Sequence, residues 1–189
     1  MTAAALVGAA GVALNQVFIW PQVARARRTI EGIALLTVLS GLFARVLWSA
    51  YGFALGDIPL ICGSVTVATG FLILAVQLGR RGVRSAIPAS VAAIASVAAL
   101  TLLAPEPVIG VIAVVAAAVT NLPQMLRALS DRTRLAGVSV TTYLLIAAAS
   151  SCWLVYGTLV REPFIVAPHL LLLPTALVTA WVASRETRS

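Results

Sequence analysis

Seven uncharged, mostly apolar runs alternate with short polar connections along the chain. They cover residues 1–24, 32–56, 58–79, 85–105, 107–126, 135–160 and 163–184, and Arg45 alone interrupts the second. A helix needs about 20 apolar residues to cross the hydrocarbon core of a bilayer. The pattern therefore predicts seven transmembrane helices and an all-α integral membrane protein. The connections RARRTIE, GDIP, RRGVR, PEP, RALSDRTR and REP leave no room for a soluble domain. The opening MTAAALVG lacks a basic segment ahead of its apolar run, so the first span is read as retained, not as a cleaved signal.

Composition agrees. Of 189 residues, 61% are hydrophobic and 10% charged, against roughly 25% charged in a soluble domain. The net charge is +7, and all 13 basic residues are Arg. With no Lys, a retinal Schiff base or other lysine-imine chemistry is excluded. One His and two Cys are too few for a His/Cys metal cage. No nucleophile–base pair or paired carboxylate lies in the spans, so no catalytic residue, metal or cofactor is expected and an enzyme is disfavoured. Cys62 and Cys152 read as small packing residues.

The Arg distribution sets the expected topology. With the N-terminus outside, the inner segments hold 11 Arg (25, 27, 28, 80, 81, 84, 127, 132, 134, 185 and 188), and the outer segments hold only Arg161. This bias follows the positive-inside rule and accounts for the charge without nucleic acid. The expectation is a multi-pass protein of the cell membrane with a cytoplasmic C-terminus.

The chain also repeats itself. Pro21-Gln22 recurs as Pro123-Gln124. Trp48-x-x-Tyr51-Gly52 recurs as Trp153-x-x-Tyr156-Gly157, and Asp57 recurs as Glu162, both 105 positions later. Only nine of 47 positions from Gly32 to Leu78 are identical at that offset, so the weight falls on rare residues recurring together. Each repeat holds three spans with the fourth between them. An odd number of intervening spans makes the repeats parallel, a known transporter plan with its site near midplane. The expected organisation is 1–79 as a first triple-helix bundle, 80–105 as a linker helix rich in small residues, and 106–189 as a second bundle.

These features resemble the SWEET branch of the PQ-loop transporters. The resemblance rests on the three-one-three plan, the Pro-Gln pair ending the first span of each repeat, and W-x-x-Y-G followed by an acid six residues after the Tyr. Short bacterial relatives with one repeat dimerise, and this chain resembles two such repeats fused. The resemblance implies facilitated diffusion of mono- or disaccharides by alternating access, with a small-molecule solute and the lipid bilayer as partners. A homo-oligomer is compatible with it.

Candidate site residues follow from depth. At ~1.5 Å per residue, Trp48 and Ser64 both fall roughly 10–14 Å below the outer loop, as do Trp153 and His169. An indole can stack on the apolar face of a sugar ring while a polar side chain binds hydroxyls. The competing readings are membrane-packing indoles, a structural or lipid-facing His169, and Ser64 as a packing residue. In the family the polar position resembles an Asn, and this chain has Ser64 and His169 there. The resemblance also places an outer gate at Tyr51 with Asp57 and at Tyr156 with Glu162. The alternative is interfacial Tyr anchors and solvated acids. The family's basic gate partner falls at Leu55 and Val160, with Arg161 adjacent in the second half only.

Pro21 and Pro123 each remove an N–H and free a carbonyl four residues back, at Val17 and Val119. Gln22 and Gln124 could bond that backbone, making either inner-mouth hinges or static kinks. Arg45 sits roughly 18 Å in from Asp57, and an ionisable residue at that depth is a functional candidate by default. It shares a helix face with Trp48. It could line the pore, bind a freed carbonyl, or contact an anionic solute. Asn121 is the remaining deep polar group, either lining the inner mouth or bonding between helices. No Asp or Glu lies at mid-membrane, which favours a uniporter over a carboxylate proton relay. A carrier of amino acids or organic anions, and a non-transporting sorting receptor or scaffold, are the alternatives.

Overall fold

The computed structural model describes residues 2–31, 33–130 and 140–186. The described residues form seven helices: α1 (Ala3–Ala26), α2 (Leu35–Leu55), α3 (Ile58–Arg80), α4 (Ala86–Leu103), α5 (Glu106–Ser130), α6 (Val140–Leu159) and α7 (Pro163–Glu186). Six are long and apolar enough to cross a membrane, and α5 carries a shorter apolar stretch, Glu106–Ala118. Large apolar side chains face outward, among them Leu36, Phe53, Ile58, Leu102, Leu103 and Leu170. Exposed apolar surface on this scale marks a membrane-facing surface, and the protein is a multi-pass membrane protein.

The W-x-x-Y-G segments have a local structural cause. After α2 the chain turns through Gly56 at φ 66°. Gly56 N–H donates to the Phe53 carbonyl (3.2 Å), and Asp57 N–H donates to the Gly52 carbonyl (2.9 Å). This is a Schellman closure, which satisfies carbonyls that the helix end leaves unpaired. The same pair of bonds closes α6, from Arg161 N–H to Thr158 (3.2 Å) and from Glu162 N–H to Gly157 (2.8 Å). Arg161 takes the left-handed position that Gly56 fills in the first half, at φ 59°. Glycine is the usual residue there because a Cβ is crowded in that conformation. The repeat thus preserves a backbone shape even where it changes the residue.

The chain forms two compact units, 15–113 and 1–14 with 114–189. In the first, the later part of α1 packs with α2, α3 and α4 around Ile19, Val23, Val38, Val67, Leu74 and Leu78. Gly70 provides the notch that receives the Ile19 side chain, a place with no space for a Cβ. Helix α4 packs against α2 and α3, with Ala86, Ser90 and Val97 buried. Small residues permit such close approach between membrane helices, where apolar burial alone gives no drive to associate. In the second unit α6 and α7 form an antiparallel hairpin, and Gly11 of α1 lies against the Trp153 indole, 3.1 Å from its Cε2 to an ideal Cβ position.

Candidate functional site

Each half builds the same aromatic pair. Trp48 and Tyr51 on α2 meet edge to face, with centroids 5.9 Å apart and planes at 79°. Trp153 and Tyr156 on α6 meet likewise, at 5.7 Å and 88°. The three-residue spacing puts both rings of a pair on one helix face, and the T-shaped contact suits the charge distribution of aromatic rings. All four rings are buried. The tyrosines therefore do not stand at the lipid interface as anchors. The glycine that follows each Tyr explains how the returning helix comes so close. A Cβ on Gly52 would lie 3.1 Å from the Ile61 backbone nitrogen, and one on Gly157 would lie 2.9 Å from Val166 Cγ2.

The acids at the α2–α3 and α6–α7 turns cap the returning helices. Asp57 Oδ1 accepts from Leu60 N–H at 2.8 Å, an N-cap bond that satisfies one orphan donor. Glu162 Oε1 accepts from Phe164 N–H at 3.3 Å, a longer bond. Asp57→Ala should lower stability by about 1 kcal/mol, while Asp57→Asn retains most of the cap. Thermal unfolding in detergent reads this, and equal loss in both variants would show that the charge, not the cap, is what matters.

Ser64 is 2% exposed on α3. Its hydroxyl makes no hydrogen bond to a described residue. Its neighbours behave differently: Thr66 donates to the Cys62 carbonyl (2.6 Å) and Thr69 to the Val65 carbonyl (2.9 Å). His169 is partly buried on α7 and directly follows Pro168, one of two prolines inside that helix. Arg45 is partly accessible on α2, and its backbone carbonyl accepts from Ser49 Oγ at 2.7 Å. No hydrogen bond or ion pair joins its guanidinium to another described residue, Val17 included. Pro21 lies within α1, which continues to Ala26. Gln22 is exposed and does not bond the freed Val17 carbonyl. Pro123, Gln124 and Asn121 fall on α5, and their side chains lie outside the described residues. Cys62 is exposed, contrary to the packing role expected of it, and Cys152 is partly buried.

Two polar residues were not singled out from the sequence. Gln16 Nε2 donates to Thr66 Oγ1 (2.9 Å), and Trp20 Nε1 donates to Gln16 Oε1 (2.8 Å), tying α1 to α3. Asn15 is 7% exposed, and its Nδ2 donates to no described residue. Two adjacent amides inside a span, with only Ala117 and Ala118 opposite them in the second repeat, were the available signal.

No protein-family model and no curated protein sequence matches the chain. Among solved structures it is similar to a eukaryotic SWEET transporter, with a TM-score of 0.86 at 16% identity, over 98% of this chain and 97% of that one. The chain therefore has the SWEET-like transporter fold over nearly its whole length.

Proposed function

We propose that the protein carries a mono- or disaccharide across the cell membrane by alternating-access facilitated diffusion. The N-terminus is outside, and no catalytic step or cofactor is involved. The observation that carries this reading is the pair of buried Trp–Tyr arrangements, one per repeat, on α2 and α6. A buried indole at mid-depth offers the flat apolar face that pyranose C–H groups stack on. The Ser64 hydroxyl, unused by its own helix, and the ring of His169 are the polar groups assigned to sugar hydroxyls. Asn121 is placed at the inner mouth. Tyr51, Asp57, Tyr156 and Glu162 form the outer gate, and Pro21-Gln22 and Pro123-Gln124 the inner hinges.

A specific observation favours a second reading, a carrier of amino acids or organic anions. Arg45 and the Asn15 amide nitrogen are donors without described acceptors. All six acids of the chain lie outside the spans, so none can neutralise Arg45 at its depth. A solute carboxylate would do so. Counterflow in proteoliposomes with labelled glucose, sucrose, amino acids and carboxylates separates the two. Exchange of sugars supports the first reading, exchange of acids alone supports the second, and binding without flux would leave only a receptor or scaffold. In the same assay Pro21→Ala should slow exchange several-fold at unchanged protein level, because an unbroken helix ladder resists bending. An unchanged rate would make Pro21 a static kink.

A further inference from the structure

A separate concave site lies where α1 and α3 end. It is a cavity of about 630 Å³ whose lining includes Arg27, Leu72, Val76, Gln77, Arg80 and Arg81. Its construction is graded. Leu72, Val76 and Arg80 recur every four residues, so they form one stripe of α3. At ~1.5 Å per residue the stripe runs ~12 Å from apolar wall to basic rim. Arg27 and Arg81 complete the rim, and no carboxylate among the described residues lines the cavity. The walls are fixed to each other. Arg81 Nη2 donates to the Arg27 carbonyl (2.8 Å), and Gln77 Nε2 donates to the Val23 carbonyl (3.3 Å). Gln77 Oε1 is buried and accepts from no described residue. The site thus offers three cations and one unmet acceptor at the rim, above an apolar wall on which Leu72 is 40% exposed.

We propose that this cavity binds an anionic phospholipid of the leaflet at the Arg-rich end. The phosphate sits among Arg27, Arg80 and Arg81, a headgroup hydroxyl donates to Gln77 Oε1, and an acyl chain runs along Val76 and Leu72. Basic pockets between membrane helices on the cytoplasmic side suit anionic headgroups. A soluble anion would use the rim and leave the apolar stripe idle, which is why a lipid fits better than free phosphate. The positive-inside bias places this rim at the cytoplasmic face, and nothing in the inference depends on which solute is carried.

The test uses the full-length protein purified in detergent and titrated with phosphatidylglycerol, with phosphatidylcholine of the same acyl chains, and with inorganic phosphate. Bound lipid is read by native mass spectrometry and stability by thermal shift. Phosphatidylglycerol should bind roughly tenfold tighter than phosphatidylcholine, or more, and inorganic phosphate should neither stabilise nor compete. The double variant Arg27→Gln/Arg80→Gln should lose the preference, Arg84→Gln, outside the lining, should keep it, and Val76→Trp should block binding with every Arg in place. Equal affinity for the two lipids overturns the proposal, as does wild-type binding by the double variant. Competition by inorganic phosphate would reassign the rim to a soluble anion. If the double variant fails to fold, the two-lipid comparison on the wild type decides alone.

Discussion

Replacing Trp48 or Trp153 with Ala should reduce counterflow to background while the protein still reaches the membrane and elutes as a single species. The two indoles are 8% and 6% exposed, and each is held edge-on by a Tyr three residues away. That contact restricts the indole rotamer before solute arrives, so little ordering remains to be done on binding. Removing the ring takes away the proposed stacking face and leaves a cavity. Truncating a buried Trp in a soluble core costs about 3–5 kcal/mol, so protein level and elution profile must be measured beside flux. Trp→Phe keeps an apolar ring and should retain part of the activity. The two sites need not respond equally. Trp153 lies on the Gly11 backbone, so Gly11→Val should impair transport by pushing the indole aside while the Trp itself is kept. Normal exchange in both Trp→Ala variants would place the solute elsewhere and remove the main support for a sugar site.

The second large effect is expected at the glycines that follow the tyrosines. Gly52→Val and Gly157→Val should each lower the melting temperature in detergent by roughly 2–12 °C. The estimate takes about 1–3 kcal/mol for overpacking at roughly 2–4 °C per kcal/mol for a chain of this size. At Gly52 the obstructing atoms are Ile61 Cγ1, Leu60 Cγ and the Ile61 backbone nitrogen, the last of which cannot rotate away. At Gly157 the obstructing atoms belong to the side chains of Ile165 and Val166, and β-branched residues have little rotamer freedom. The loss should be larger at Gly52, because backbone yields less readily than side chain. Gly56→Ala tests a different cause. No atom lies within 4 Å of a Cβ there, so its cost comes from the left-handed backbone alone. Wild-type stability in Gly52→Val would mean that the α2–α3 hairpin can open without consequence.

Much of the architecture was legible in the residues themselves. Apolar runs of 20 or more residues between short polar connections specify spanning helices, because the bilayer forbids unpaired backbone polar groups. The recurrence of Trp, Tyr, Gly and an acid at one offset exposed the repeat. The structure supplies the reason for that spacing: a Schellman closure with Gly52 or Gly157 at its start and a capping acid at its end. The motif was visible in the sequence, but its cause was not, since that cause is a backbone shape.

The partner of each helix face was decided by tertiary structure. Helix α1 is apolar on nearly all sides, so its periodicity does not reveal which face meets protein. In the folded chain Ile19 fills the notch at Gly70, and Gly11 receives Trp153. Asn15 and Gln16 carry no motif or repeat partner in the sequence; in the fold Gln16 bridges to Thr66 and Asn15 is buried. Arg161 could not be recognised as the left-handed residue, because only its place in the turn forces that conformation on a side chain. In water, burial itself separates inside from outside along a helix. In a membrane both surroundings are apolar, so the sequence by itself determined how often the chain crosses and which residues recur, while close packing at small residues decided what each span touches.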